Sequence, residues 1–183
     1  MKKIKLGPEK IKHKGKIFNI KQREVFFPDG EKDIYEFCER PASVSVLALN
    51  EKKELLLINE YRYGYKKNVW FLPGGRVDQK NDTPKKAAQR ELREEGGFRA
   101  KKLKLIRKNH PSNTLMWDIY IFFATDLVYD PLPLDKGEEV SEIKFVPLKK
   151  AVQMAVDGTI ENEFIAYNII RFEYMLRHGE FKI

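Results

Sequence analysis

Apolar and polar positions follow two periods along the chain, and the difference separates strands from helices. Strand-forming residues fill 15–27, stop at Pro28-Asp29-Gly30 and resume over 34–38, which predicts a β-hairpin with its turn at that tripeptide. Both 42–49 and 54–58 are strongly apolar, so we expect two strands that are partly buried on both faces. Further strands are predicted over 68–72, 101–108, 115–125 and 143–146.

Three segments follow the helical period instead. In the first, Thr83 is a suitable N-cap with Pro84 behind it, and Gly96-Gly97 ends the helix. The other two helices are predicted over 149–156 and 162–179. Strands with helices inserted among them predict an α+β or α/β sandwich.

Length and composition narrow the class of protein. A chain of 183 residues that is 42% hydrophobic is expected to form one packed domain. It has no apolar run near the roughly 20 residues that span a bilayer and no signal-peptide pattern at its start, so we expect a cytoplasmic protein without a membrane span. The lone Cys38 excludes an internal disulfide and a multi-cysteine zinc site.

The net charge of +8 is concentrated at the start of the chain. Residues 1–24 contain nine Lys or Arg and two Glu, whereas the remainder has 26 basic and 25 acidic residues. Nucleic acid is therefore an unexpected partner, because the basic segment lacks the interleaved aromatic residues that stack on bases. Two interpretations of this basic segment remain open. It forms a solvated arm or a Lys-rich edge strand, or it attracts a polyanionic ligand.

Three carboxylates crowd the end of the first predicted helix. Glu91, Glu94 and Glu95 project within about one turn because they are three and four positions apart. Acids in the last turn repel one another and are disfavoured by the helix dipole. A divalent cation such as Mg²⁺ would relieve this repulsion, since such ions prefer carboxylate oxygens. A solvated helix face neutralised by Arg90 and Arg93 is the alternative.

The residues around these acids resemble the Nudix box, G-x5-E-x7-R-E-U-x-E-E-x-G-U, in which U is a bulky apolar residue. The first half fits partly, because Gly75 precedes Arg90 by 15 positions instead of 14 and Asp82 or Asn81 stands where the first Glu belongs. We infer one inserted residue within 77–82. The second half matches at Arg90, Glu91, Leu92, Glu94, Glu95, Gly97 and Phe98.

The resemblance covers nearly the whole chain and points to the ADP-ribose pyrophosphatase and nucleoside diphosphate sugar branch of the Nudix hydrolases. It implies a Nudix fold over 41–183, an α/β/α sandwich with a mixed sheet. It also implies an antiparallel β-segment over 1–40 that members of the branch commonly exchange in homodimers. Phe71 departs from the pattern, because many relatives carry an acidic residue there. The resemblance to this branch rests on four segments: the Pro-Asp-Gly turn, Tyr61-Arg62-Tyr63, Trp70-x-Leu72-Pro73-Gly74-Gly75 and Gly137-Glu138-Glu139-Val140.

The activity implied by this resemblance is hydrolysis of the pyrophosphate bond of a nucleoside diphosphate sugar such as ADP-ribose, with Mg²⁺ as cofactor and Mn²⁺ as a substitute. Arg90 then braces the carboxylates. The implied metal ligands are Glu91, Glu94, Glu95 and the backbone carbonyl of Gly74. The implied general base lies on the loop before the last strand, with Glu138 as first candidate, Glu139 as second, and Asp135 and Glu142 as others.

Substrate-binding candidates are Arg62 and Arg40 for a phosphate or sugar, and Trp70 for stacking on a nucleobase. A surface ion pair for Arg62 and core packing for Trp70 remain alternatives, and Trp117 is expected in the core. Two other functions stay open. One is Nudix hydrolysis of a dinucleoside polyphosphate, a nucleoside triphosphate or capped RNA, and the other is a nucleotide-binding regulator without turnover.

Overall fold

The structure, a computed structural model, describes residues 3–79 and 82–180. Its three helices are α1 (Pro84–Glu94), α2 (Leu148–Val156) and α3 (Glu163–Arg177). In chain order the strands are β1 (Lys5–Leu6), β2 (Lys10–Lys14), β3 (Asn19–Phe26), β4 (Lys32–Glu39), β5 (Ser43–Ala48), β6 (Glu54–Arg62), β7 (Lys67–Phe71), β8 (Phe98–Asn109), β9 (Leu115–Met116), β10 (Ile119–Tyr129) and β11 (Val140–Pro147).

Two three-stranded sheets, β5-β10-β8 and β11-β6-β7, form the central layer. Because side chains alternate along a strand, β5 sends Val46 into the cluster around α1 and Leu47 into the cluster that includes α2 and α3. On β10, the side chain of Phe122 packs in the cluster around α1 and that of Phe123 in the cluster with α2 and α3. Strands β5 and β10 are parallel, whereas β8 and β10 are antiparallel. The predicted α/β/α sandwich with a mixed sheet is therefore confirmed.

The helix ends follow the predicted chemistry. Thr83 Oγ1 accepts a hydrogen bond of 3.3 Å from the Lys86 amide, which caps α1, and Asn162 Oδ1 accepts one of 3.0 Å from the Ile165 amide at the start of α3. Gly97 follows α1 with a φ of 77°, a left-handed conformation that favours glycine. None of the helices described for 3–79 and 82–180 is long and apolar enough to cross a membrane.

The N-terminal strands form a separate sheet in the order β1-β3-β4-β9, with β2 also paired to β3. Strands β3 and β4 are antiparallel on either side of Pro28-Asp29-Gly30, so the predicted hairpin is confirmed. The sheet is completed by β9 from the later part of the chain, which pairs with the end of β4. The predicted division between 1–40 and 41–183 thus falls just after β4, where the chain leaves this sheet.

The single strand predicted over 115–125 is wrong in one respect: β9 and β10 are separate, with Trp117 and Asp118 between them. Leu115 pairs with Cys38 in the N-terminal sheet, whereas Ile119 pairs with Ser43 in the central layer. The chain changes sheets here, and this change of partners interrupts the strand. The Trp117 indole donates a hydrogen bond of 3.1 Å to Ser43 Oγ across the break.

Candidate active site

Acidic side chains from two parts of the chain meet at the C-terminal end of α1. Carboxylate oxygens of Glu91, Glu95 and Glu138 all lie within 4.8 Å of one another. Glu91 and Glu95 are only 3% and 1% exposed, and Glu138 is half-buried on the loop before β11. Such a cluster of oxygen donors suits a hard divalent cation.

The Gly74-Gly75 turn brings backbone against these acids. The Gly74 amide donates a hydrogen bond of 2.7 Å to Glu95 Oε2. A Cβ atom on Gly74 would stand 2.3 Å from the carbonyl oxygen of Val44, and one on Gly75 would stand 2.3 Å from Glu91 Oε1. Neither position has room for a side chain, so the two glycines permit the close approach.

The same turn directs the Gly74 carbonyl. The carbonyls of Pro73 and Gly75 accept hydrogen bonds of 2.8 Å from amides of β5. Because successive residues of an extended segment alternate in direction, we expect the amide and carbonyl of Gly74 to face the other side, where the amide meets Glu95. We therefore expect the Gly74 carbonyl to face the acids as well.

The electrostatics of the cluster also favour a cation. Burial raises the pKa of Glu91 to about 7, and the charges of Glu94 and Glu138 act in the same direction against the opposing effect of Arg90. The pKa of Glu95 lies well above its usual value, first through burial and then through the charges of Glu91 and Glu60. A bound divalent cation would compensate the cost of ionising these buried groups.

Arg90 connects the carboxylates of the box. Its Nη1 lies 2.7 Å from Glu94 Oε2 and 3.0 Å from Glu91 Oε1, and its Nη2 donates to the Arg76 carbonyl at 3.1 Å. Asp82 Oδ2 lies 3.6 Å from Arg90 Nη2, at the place where the box has Glu. The other residue considered for that place, Asn81, lies outside the described residues.

Glu94 lies apart from the three clustered acids. Its carboxylate faces Arg90, and burial raises its pKa while Arg90 lowers it. Arg90 Nη1 thus contacts both Glu94 and Glu91, and only Glu91 belongs to the group of three clustered acids.

Sequence reasoning missed Glu60, which is 3% exposed on β6. Its Oε2 lies 2.7 Å from Arg62 Nη2. Burial raises the pKa of Glu60, Arg62 lowers it, and Glu138 raises it further. The signal was the strand period: Glu60 continues the alternate positions of Leu56 and Ile58, both buried, so its carboxylate falls on a buried face.

Arg62 lies between an acid and an aromatic ring. The guanidinium carbon of Arg62 lies 4.6 Å from the centroid of the Phe71 ring. Phe71 stands at the position where an acidic residue was expected. Glu60 supplies the counter-charge instead. Trp70, the candidate for base stacking, is half-buried and packs against the core.

Arg40 lines a different part of the surface, a cleft of about 460 Å³ that also includes His110 and Asp118. Its guanidinium carbon lies 4.2 Å from the Trp117 ring centroid. Burial and the charge of Arg76 lower the pKa of Arg40, and no ion pair joins it to a carboxylate in 3–79 or 82–180. Trp117, which was expected in the core, is half-buried at the core edge.

Among the loop acids, Glu138 is the one that joins Glu91 and Glu95. Its Oε2 accepts a hydrogen bond of 3.1 Å from the Asp135 amide, which holds the carboxylate in place. The side chain of Glu139 is exposed, and its carbonyl accepts from the Tyr61 amide at 3.1 Å. The side chains of Asp135 and Glu142 are also exposed.

Comparison with known proteins relates this arrangement to a family. Residues 39–167 match the NUDIX domain. An ADP-ribose pyrophosphatase of Bacillus subtilis (strain 168) is 28% identical over 158 residues, which are 85% of this chain and 84% of that protein. A CMP-5'-(N-acetyl-N-hydroxy-3-aminopropyl)phosphonate hydrolase of Streptomyces rubellomurinus is 26% identical over 153 residues, or 82% of this chain and 72% of that one.

Among solved structures, one titled as an ADP compounds hydrolase superposes with a TM-score of 0.81. The superposition covers 99% of this chain and 98% of the other chain, and the two sequences are 23% identical. This likeness concerns the fold, and it includes the N-terminal sheet as well as the central sandwich.

Proposed function

The chain belongs to the NUDIX domain family, and we propose that it hydrolyses the pyrophosphate bond of a nucleoside diphosphate sugar, with ADP-ribose as the first candidate. The products would be a nucleoside monophosphate and a sugar phosphate. The observation that carries the proposal is the meeting of Glu91, Glu95 and Glu138 within 4.8 Å beside the Gly74-Gly75 turn. The similarity to an ADP-ribose pyrophosphatase supports the choice of substrate.

Glu91, Glu95 and the Gly74 carbonyl would hold a divalent cation, Mg²⁺ first and Mn²⁺ as a substitute. The donor set fits such an ion, because it offers oxygen atoms only and two buried carboxylates with raised pKa values. A bound cation would supply positive charge to the phosphates and would lower the pKa of the attacking water. Arg90 keeps Glu91 oriented through its 3.0 Å ion pair, and Glu94 is the remaining candidate ligand.

Hydrolysis requires one proton transfer and one exchange of bonds at phosphorus. The oxygen of a water molecule forms a bond to one phosphorus, and the bond from that phosphorus to the bridging oxygen breaks. Glu138 accepts the proton of the water, since its half-buried carboxylate lies beside Glu91 and Glu95 and is oriented by the Asp135 amide. The bridging oxygen leaves with the second phosphate.

Two arginines are our candidates for binding the substrate. Arg62, held between Glu60 and Phe71, lies close enough to the acids to affect the pKa of Glu95. Arg40 has a half-buried guanidinium without an acidic partner in 3–79 or 82–180, beside the 460 Å³ cleft. We assign Arg62, which is near the acids, to a phosphate of the substrate. Arg40, which has no acidic partner among the described residues and lines a separate cleft, is assigned to the terminal phosphate or sugar part.

We also propose that two copies associate through the N-terminal sheet. An apolar groove of about 350 Å³ runs along it, lined by Ile4, Leu6, Val25 and Phe37. Ile4 and Leu6 are more than half exposed, which is unusual for contiguous large apolar side chains on a monomer. In such a dimer the basic N-terminal segment would form part of the interface.

Another nucleotide class is the alternative, favoured by the similarity to a CMP-phosphonate hydrolase. The same acids would then cut a different nucleotide derivative, such as a dinucleoside polyphosphate, a nucleoside triphosphate or capped RNA. A regulator without turnover would bind nucleotide through the same residues but release no product.

A substrate screen tests the proposal. Purified protein is incubated with ADP-ribose, GDP-mannose, UDP-glucose, CDP-choline or ATP, with Mg²⁺ or with EDTA, and products are separated by ion-exchange chromatography. We expect AMP and ribose 5-phosphate from ADP-ribose with Mg²⁺ and no product with EDTA. Faster cleavage of CDP-choline or ATP would favour the alternative, and binding without any product would favour the regulator.

A further inference from the structure

The strand that follows the Glu138 loop begins with a β-bulge. Strands β11 and β6 are antiparallel, with Val140 opposite Glu60 and Glu142 opposite Asn59. Ser141 therefore has no opposite residue and is the extra residue of the bulge. Bulges bend a strand and redirect the neighbouring side chains, and they are frequent next to active sites.

The hydroxyl group of Ser141 connects three strands. It donates a hydrogen bond of 2.9 Å to the Asn59 carbonyl on β6 and accepts one of 2.7 Å from Asn68 Nδ2 on β7. Asn68 lies opposite Tyr61 across the β6–β7 pair. The side chains of Ser141 and Asn68 thus hold the extra residue against the sheet.

The loop before the bulge is tied to the same place. The Tyr61 amide donates to the Glu139 carbonyl at 3.1 Å, and Glu138 exchanges two hydrogen bonds with Asp135, one through its own amide and one through its carboxylate. Glu138 is three residues before Ser141. The direction in which the chain enters β11 therefore determines where the Glu138 carboxylate lies.

A one-residue change of register would be enough to misplace it. If the bulge closed and Ser141 paired normally, each residue before it would shift by one position and exchange faces of the strand. The contact of Glu139 with Tyr61 would be lost, and Glu138 would turn away from Glu91 and Glu95.

We infer that Ser141 and Asn68 are positioning residues for Glu138: their hydrogen bond holds the β-bulge and so keeps the Glu138 carboxylate beside Glu91 and Glu95. The catalytic consequence rests on the function proposed above. The positioning itself concerns only this chain and is measurable without substrate.

The first test is kinetic and uses Ser141→Ala and Asn68→Ala in the full chain. We expect kcat to fall on the order of tenfold with KM within about twofold, because proton transfer depends on the place of Glu138 whereas substrate binding does not. Ser141→Thr keeps a hydroxyl group and should retain most of the activity. Ser112→Ala, whose hydroxyl contacts Thr114 on another loop, is the matched control and should match wild type.

A double variant separates positioning from general damage to the fold. Once Glu138 is replaced by Gln, Ser141→Ala should cost little further kcat, because the residue that it positions no longer acts. Independent, additive losses would overturn the inference, and so would a Ser141→Ala enzyme with wild-type kcat.

Hydrogen exchange of the metal-free protein gives a readout apart from activity. We expect faster exchange in residues 135–141 for Ser141→Ala and Asn68→Ala, and unchanged exchange for Ser112→Ala. If wild type hydrolyses none of the substrates, the proposed function fails while the exchange result still decides the positioning. Unchanged exchange in the first two variants overturns the inference even if hydrolysis is observed.

Discussion

Gly75 lies so close to Glu91 that a Cβ atom on residue 75 would stand 2.3 Å from Glu91 Oε1. Gly75→Ala should therefore displace the carboxylate or the turn. We expect weaker binding of Mn²⁺ by isothermal titration calorimetry and a loss of hydrolysis on the order of tenfold or more, since misplaced ligands bind metals poorly. Gly64→Ala is the control, because a Cβ atom there meets nothing within 4 Å. Wild-type Mn²⁺ affinity in Gly75→Ala would contradict the assignment of Glu91 as a ligand.

The raised pKa of Glu91 predicts a pH-dependent cost to stability without metal. In the unfolded chain this carboxyl ionises near its usual pKa of 4.5, whereas burial raises the folded pKa to about 7. The folded protein thus binds more protons between these values, so this group's contribution to stability is present below pH 4.5 and is lost as pH rises through 7. The loss is roughly 3 kcal/mol.

Glu91→Gln removes this ionisation and measures its cost. In EDTA we expect Glu91→Gln and wild type to have similar stability to urea at pH 5 and the variant to be more stable at pH 8. Adding Mg²⁺ at pH 8 should stabilise wild type more than the variant, because the ion binds the ionised carboxylate. A variant that is less stable than wild type at pH 8 without metal would show that Glu91 is not costly to ionise there.

Glu138 and Glu139 are adjacent in sequence, but Glu138 is half-buried and Glu139 is exposed. The same substitution at the two positions therefore gives a matched pair of variants. Glu138→Gln should lower kcat by on the order of a hundredfold, the usual contribution of a general base. Glu139→Gln should be close to wild type, because its side chain is exposed and its backbone makes the contact with Tyr61. Steady-state rates with saturating Mg²⁺ check this, and the reverse order of effects would transfer the role to Glu139.

The apolar groove of the N-terminal sheet predicts an effect on association. Leu6→Lys places a charge on a side chain that is 59% exposed in the single chain and would be covered in the dimer. We expect sedimentation velocity to show wild type as a dimer and Leu6→Lys shifted toward the monomer. Val156→Lys, at a side chain that is 67% exposed on α2, is the control. Equal sedimentation of wild type and Leu6→Lys at all concentrations would place any interface elsewhere.

Features that depend on neighbours in sequence were predictable. Thr83, Pro84 and Gly97 define the ends of α1 through caps and backbone conformation, which act within a few residues. The spacing of Glu91 and Glu95 placed both on one edge of that helix. Gly74 and Gly75 carried part of the resemblance, but the sequence did not identify the Val44 carbonyl and the Glu91 carboxylate that they approach.

Contacts between distant parts of the chain were not predictable in the same way. Glu60 lies beyond the predicted strand over 54–58, and its proximity to the charge of Glu138 follows from the pairing of β6 with β11. Ser141 gave no signal at all, because a bulge is a property of two paired strands. The strand over 115–125 was predicted as continuous because its break reflects a change of sheet.

The sequence by itself determined the alternation of strands and helices, the ends of α1 and the order of acids along it, because these follow from the local geometry of a helix and of capping side chains. Only the tertiary structure decided that Glu138 is the loop acid beside Glu91 and Glu95, and that the buried Glu60 lies within the field of Glu138. Strand register and burial bring Glu138 to Glu91, Glu95 and Glu60 across some 40 to 80 intervening residues, and neither is encoded in any short stretch of chain.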